Sequence, residues 1–229
     1  MKIGGLQKVS LIDYPGKIGA VIFTQGCNFR CPYCHNPELV DPPRYRELIP
    51  EELVFAYLEK RQGKLEAVTI TGGEPAIQSD LGRFAKKIKA MGYLVKVDTN
   101  GSRPDVLAEL LGKGLIDYVA MDIKAPLGKY SAVTRTPGSG KTIRQSIALI
   151  MASGIDYEFR TTVVRSQLAE ADIRAIGKMI SSATRYALQR YSPTQPLDRD
   201  FLNEKTFSHE ELAPLRKRLE KKIKNVIIR

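Results

Sequence analysis

The chain has 229 residues, is 43% hydrophobic and carries a net charge of +11, enough apolar material to bury one sizeable core, so a single catalytic domain over residues 1–229 is expected. Its longest apolar runs, such as Ala20-Val21-Ile22-Phe23, are far too short to cross a bilayer. No charged head with a following apolar stretch and cleavage site opens the chain, which points to a soluble, cytoplasmic protein with no membrane partner. Three cysteines are an odd number, and their crowding into eight residues is wrong for stapling a fold of this size; clustered thiols of this kind suit a soft metal or a cluster.

Taken in chain order, apolar β-branched runs predict strands at residues 19–25, 67–71, 94–99, 118–123, 157–164 and 186–190. Helical periodicity falls between them, at 50–62, 77–91, 103–113, 142–152 and 171–181. A βαβα order of this kind argues for a parallel sheet with right-handed crossovers. Six units cannot close an eight-stranded barrel, and Cys27, Gly72, Asn100 and Lys124 all follow directly on strand C-terminal ends, the face on which barrels and open α/β sheets both build their sites; on that placement the expected fold is α/β, an open partial (β/α)6 TIM-like barrel, with a doubly wound sheet as the alternative. Towards the C-terminus Ser208 and Glu211 have capping-box spacing, and Leu212, Leu215, Leu219 and Ile223 share one helical face, with Pro214 blurring where that helix starts. The stretches 37–46 and 134–141 are expected to be mobile loops. Residues 160–229 carry 15 Lys/Arg against 8 Asp/Glu; this basic C-terminal region is either a solvated surface or a face for an anionic partner.

The cysteines are spaced Cys27-x-x-x-Cys31-x-x-Cys34 within a cluster loop at 25–37. Three thiolates can hold three irons of a [4Fe-4S] cluster and leave the fourth open to a chelating amino-carboxylate. Two competing arrangements use the same atoms. Zinc could take Cys27, Cys31, Cys34 and His35, although adjacent Cys34 and His35 would strain a tetrahedron, and a redox pair of Cys31 and Cys34 would leave Cys27 over. A second feature is the turn Gly72-Gly73-Glu74-Pro75 at the end of a predicted strand, where the missing side chains let backbone carbonyls approach a ligand such as an ammonium group.

The whole loop Gly26-Cys27-Asn28-Phe29-Arg30-Cys31-Pro32-Tyr33-Cys34-His35-Asn36-Pro37 resembles the radical S-adenosylmethionine (SAM) superfamily, and its Tyr-Cys-His-Asn ending resembles the activases of glycyl radical enzymes. The resemblance implies a radical SAM barrel, Cys27, Cys31 and Cys34 as cluster ligands, and S-adenosylmethionine as cofactor. It places Tyr33 and the backbone near His35 beside the adenine, and the Gly72-Gly73-Glu74-Pro75 turn on the methionine amino group. The stretches Val97-Asp98-Thr99-Asn100-Gly101 and Met121-Asp122-Ile123-Lys124 are similar to segments of pyruvate formate-lyase activase. There the aspartates and threonine help hold a monovalent cation near the cofactor and the lysine meets its carboxylate. Asp98, Thr99, Asp122 and Lys124 are carried over on those terms, and Asn100 as a cofactor-binding neighbour, against the alternative that Asp98 or Asp122 forms a structural ion pair with Lys124. Arg160 could face the same pocket, and Ser192-Pro193-Thr194 marks only the region where a ribose contact is expected.

Activity follows from the same resemblance: one-electron reduction of S-adenosylmethionine by the cluster, giving a 5′-deoxyadenosyl radical, with no acid–base pair required of the protein. Three committed cysteines leave none for a second cluster. Over nearly its full length, including Ser10-Leu11-Ile12-Asp13-Tyr14-Pro15-Gly16, the chain resembles the compact activases of anaerobic ribonucleoside-triphosphate reductase. The implied partners are that reductase, whose backbone glycine would receive the radical, and an electron donor such as flavodoxin or ferredoxin. The basic C-terminal region is the candidate docking surface. Activation of pyruvate formate-lyase or another glycyl radical enzyme is the alternative in the same class. A zinc-bearing nucleic-acid-binding module is the alternative from another, but no Trp and no basic-aromatic interleaving supply a stacking platform, so nucleic acid is not expected as a partner.

Overall fold

A computed structural model describes residues 1–229. In chain order the elements are β1 (Ile3–Ser10), β2 (Gly19–Thr24), α1 (Pro37–Val40), α2 (Glu51–Lys60), β3 (Ala67–Gly72), α3 (Leu81–Ala90), β4 (Leu94–Thr99), α4 (Pro104–Gly112) and β5 (Tyr118–Asp122). They continue with α5 (Tyr130–Thr134), α6 (Ile143–Ala152), β6 (Asp156–Val163), α7 (Glu170–Met179), β7 (Tyr186–Arg190), α8 (His209–Leu219) and β8 (Val226–Ile228). All six expected strands are present. Two more, β1 and β8, carry no alternating or β-branched run long enough to announce them. The helix expected over 77–91 begins only at Leu81, because Pro75–Ile77 form a 3-10 turn instead, its Ala76 N–H met by the side chain of Glu74. Part of the expected loop at 37–46 is helical too, as α1 and a 3-10 turn over Pro42–Arg44.

The residues divide into two compact units. The first comprises Met1–Asn28, Glu38–Thr99 and Asp105–Val119. In it β1 pairs antiparallel with β2 from Ile3↔Thr24 to Ser10↔Gly19, β2 runs parallel to β3 from Gly19↔Ala67 to Thr24↔Gly72, and β3 runs parallel to β4 from Ala67↔Leu94 to Ile70↔Val97. The parallel strands are buried along nearly their whole length, which is why they read as continuous apolar runs rather than alternating ones. Helix α3 turns Leu81, Phe84, Ala85 and Ile88 inward, the i, i+3, i+4, i+7 stripe of an amphipathic helix. Phe84 meets Phe55 of α2 at a ring separation of 5.0 Å. The Asp117 N–H, just ahead of β5, donates to the Val95 carbonyl.

The second unit comprises Phe29–Pro37, Asn100–Pro104 and Ala120–Arg229. Here β6 runs parallel to β7 from Phe159↔Tyr186 to Val163↔Arg190, and β7 parallel to β8 from Tyr186↔Val226 to Leu188↔Ile228. Past the end of β5, the Ile123 N–H donates to the Arg160 carbonyl on β6. Helix α8 has the expected reciprocal cap, the Glu211 N–H donating to Ser208 Oγ at 3.2 Å and the Ser208 N–H to the Glu211 carboxylate at 2.7 Å. It buries Leu212, Leu215 and Leu219 and accommodates Pro214 in its interior. The Leu219 side chain of α8 packs into the space left by Gly177 of α7.

Candidate cofactor site

In the first unit the end of β3 and the start of the cysteine loop are laced together by backbone. The Gly73 N–H donates to the Thr24 carbonyl at 2.9 Å, the Glu74 N–H to the Gly26 carbonyl at 2.8 Å, and the Gly26 N–H to the Leu39 carbonyl at 2.7 Å. Both glycines of the turn are required by this approach. Gly72 has φ +117 and a Cβ on it would strike the Thr24 backbone, while a Cβ on Gly73 would strike the Gly26 carbonyl. What comes close to the turn in this way is the chain that leads directly into Cys27.

Glu74 is almost fully buried. Its carboxylate accepts from the Ala76 N–H at 3.0 Å and from Thr99 Oγ at 2.7 Å, so two residues expected at the cofactor hold each other, and Pro75 starts the capped turn that follows. Asp98 is buried on β4 and paired with Lys96 of the same strand, Nζ to Oδ1 2.5 Å. Thr71 Oγ approaches its other oxygen at 3.4 Å. The sequence pairs Asp98, if with any lysine, with Lys124; the lysine found there is Lys96, two residues away on the same strand face.

In the second unit the remainder of the cysteine loop is anchored by three backbone bonds. The Arg30 N–H donates to the Thr134 carbonyl at 2.9 Å, the Asp198 N–H to the Pro32 carbonyl at 2.9 Å, and the Leu197 N–H to the Cys34 carbonyl at 3.0 Å. The Cys34 N–H closes a turn onto the Cys31 carbonyl at 3.1 Å. No disulfide joins the three cysteines; Cys31 is buried and Cys27 and Cys34 are half-buried. Burial pushes the Cys31 thiol up to about 11, against the pull of the Lys124 ammonium. A metal centre there would have to displace the proton. Tyr33 is buried with its ring edge-on to Tyr191 at 6.4 Å, and its hydroxyl acts on the Cys31 thiol, offsetting a little of the upward push of burial. His35 stacks on Tyr191 at 5.2 Å and its ring nitrogen lies 2.8 Å from the Ser192 carbonyl, which ties the expected ribose region to the cluster loop.

Also in the second unit, Asn100 Oδ1 accepts from the Ser102 N–H at 2.9 Å, forming a local turn. Gly101 sits at φ +73 against Met121 with no room for a Cβ. Asp122 makes the expected ion pair with Lys124, 3.0 Å from Nζ, and a second with Arg160, 2.7 Å from Nε. Burial alone would push the Asp122 carboxyl up, but Arg160 and Lys124 outweigh it and hold the group well below the usual carboxylate range. Lys124, which burial alone would discharge, is held charged by Asp122.

Three thiols within eight residues of sequence and, in the first unit, a backbone-only turn are the donor types that a cluster and an amino-carboxylate cofactor use, and parallel strands with such residues at their ends define a class of enzyme. Residues 21–176 match the Radical SAM superfamily, and the chain belongs to it, in the group of the glycyl-radical enzyme activating enzymes. A protein of Methanocaldococcus jannaschii named as a glycyl-radical enzyme activating enzyme is 35% identical over 237 residues, spanning 99% of this chain and 95% of that protein. The pyruvate formate-lyase-activating enzyme of Clostridium pasteurianum is 35% identical over 130 residues, 54% of this chain and 52% of that one. Streptococcus suis SuiB bound to S-adenosylmethionine shares the fold, with a TM-score of 0.71 and 14% identity over 91% of this chain and 49% of SuiB. A [4Fe-4S] cluster and S-adenosylmethionine are the cofactors that this family uses. No helix is long and apolar enough to cross a membrane.

Proposed function

We propose that this enzyme generates the glycyl radical of anaerobic ribonucleoside-triphosphate reductase in the cytoplasm, drawing electrons from a flavodoxin- or ferredoxin-type donor. The observation that carries the reading is the three-thiol loop in a chain that matches a named glycyl-radical activating enzyme along its whole length. When bound, the cluster and S-adenosylmethionine supply a one-electron cleavage that yields a 5′-deoxyadenosyl radical able to take a hydrogen atom from glycine. Cys27, Cys31 and Cys34 hold the cluster. The Gly72-Gly73-Glu74-Pro75 backbone receives the methionine amino group, its geometry set by the Glu74–Thr99 bond. Lys124 offers its ammonium to the carboxylate, Tyr33 and the backbone near His35 flank the adenine, and Asp98, Asn100 and Asp122 shape the surrounding strand ends. No side chain is asked to move a proton. Activation of pyruvate formate-lyase is the second reading, favoured by the match to the Clostridium pasteurianum enzyme.

Anaerobic reconstitution with iron and sulfide, followed by metal analysis, tests the class: four irons per chain are expected for a cubane, and stoichiometric zinc without iron would overturn it. Cys31→Ala is expected to abolish cleavage of S-adenosylmethionine. Electron paramagnetic resonance of the reduced enzyme mixed with each candidate partner tests the target. A glycyl radical on the ribonucleotide reductase is expected; a radical on pyruvate formate-lyase alone would move the assignment to the second reading.

A further inference from the structure

Lys96 is the one lysine among the buried residues, 2% exposed in the middle of β4. An ammonium in that position is tolerated only with a charged partner. Lys96 and Asp98 are two residues apart on one strand and therefore share a face; Nζ lies 2.5 Å from Asp98 Oδ1 and 5.8 Å from the centre of the Tyr118 ring. The acidic residue that the family resemblance assigns to a monovalent cation thus already has a cation against it. In its own unit Asp122, the other such carboxylate, has two, Lys124 at 3.0 Å and Arg160 at 2.7 Å. The residues present do not fit a free monovalent ion. A sodium or potassium ion at Asp98 would have to displace an ammonium tethered beside the carboxylate at high effective concentration, or sit against a like charge.

We infer that Lys96 is a built-in replacement for the monovalent cation, a positioning residue that fixes the Asp98 carboxylate and frees this enzyme from any requirement for potassium or sodium. The inference rests on the proposed function, in which Asp98 lies by the cofactor. A lysine kept only for stability would leave the ion preference of the enzyme untouched when replaced. A lysine standing in for an ion leaves a carboxylate that recruits one.

Thallium(I), a potassium mimic with a usable nuclear spin, is the probe. It is titrated by 205Tl NMR into the wild-type chain and into Lys96→Gln, each without cofactors and again reconstituted with cluster and S-adenosylmethionine. The wild type is expected to show no saturable site at Asp98, and Lys96→Gln to gain one. A saturable wild-type site that disappears in Asp98→Asn would overturn the inference. In parallel, cleavage of S-adenosylmethionine is measured with potassium or tetramethylammonium as the only cation. The wild-type rate is expected to be unchanged between them, whereas Lys96→Gln falls about 10- to 100-fold in tetramethylammonium and recovers in potassium or ammonium. A wild-type rate that collapses without potassium would also overturn it. Should Lys96→Gln fail to fold, the two wild-type arms decide the matter alone, and Lys96→Gln combined with Asp98→Asn removes both charges without leaving either unpaired. Absence of cleavage under every cation would instead reject the enzymatic reading, and the thallium titration would still judge Lys96.

Discussion

The carboxylates of the first unit and Asp122 of the second solve the same problem by different means. Glu74 and Asp98 are neutralised or bonded from nearby in the sheet: Glu74 by the next turn and by Thr99 at the end of β4, Asp98 by Lys96 on its own strand. Asp122 takes Lys124 from just beyond its strand and Arg160 from β6, 38 residues away. The first arrangement is compact and backbone-determined, with the glycine turn pressed on the cysteine loop. The second is a three-membered ion cluster whose members are each partly exposed, with side-chain exposures of 27%, 16% and 13% for Asp122, Lys124 and Arg160. Rigid geometry in one region and charge balance in the other should respond differently to substitution.

The largest expected effect is therefore in the first region. Gly73→Ala places a methyl group into the Gly26 carbonyl, and because backbone faces backbone nothing flexible can give way. A loss of about 4 kcal/mol or more is expected, read as a large drop in the urea midpoint of the cofactor-free chain; a near-neutral result would mean that the turn and the loop are not in contact. Asp122→Ala leaves Lys124 and Arg160 without their shared anion and is expected to cost about 3 kcal/mol. Replacing Asp122 and Arg160 together by Asn and Gln should cost less than the two single changes summed, and strict additivity in that double-mutant cycle would show that the cluster is not coupled. Thr99→Val keeps shape but removes one donor from the buried Glu74, an expected cost of about 1–2 kcal/mol, smaller than either change above because the Ala76 N–H remains. Far from both regions, Ser208→Ala removes the cap of α8 and should cost about 1 kcal/mol, with the hydrogen-exchange protection of Leu212 to Leu215 falling first.

Much of the candidate site is legible in the amino-acid order alone. The cysteine spacing picks out the proposed ligands, and the two glycines ahead of Glu74 mark a close approach. The capping box at Ser208 and Glu211 is read from a four-residue pattern and found in place, because capping depends only on neighbours along the chain. Arg160 can be placed near the site only loosely from its strand, since alternation says which residues share a face but not which face meets Asp122. Lys96 escapes a reading of the sequence because a lysine in a strand looks like surface; its burial follows from the packing of β4 among its neighbours.

What the amino-acid order by itself determined is local and periodic: six strands, the helices between them, the caps, and the grouping of thiols and glycines at strand ends. Each depends on contacts within a few residues, where the backbone leaves little choice. Tertiary structure alone decided what the glycines make room for, since the Gly26 carbonyl comes from 47 residues away in sequence. It also decided that β1 and β8, weak strands on their own, are held by pairing with β2 and β7, and that Asp98 and Asp122 each have a cation against them. The cost of an unpaired charge is set by the solvent that the rest of the fold excludes, and no stretch of sequence carries that information alone.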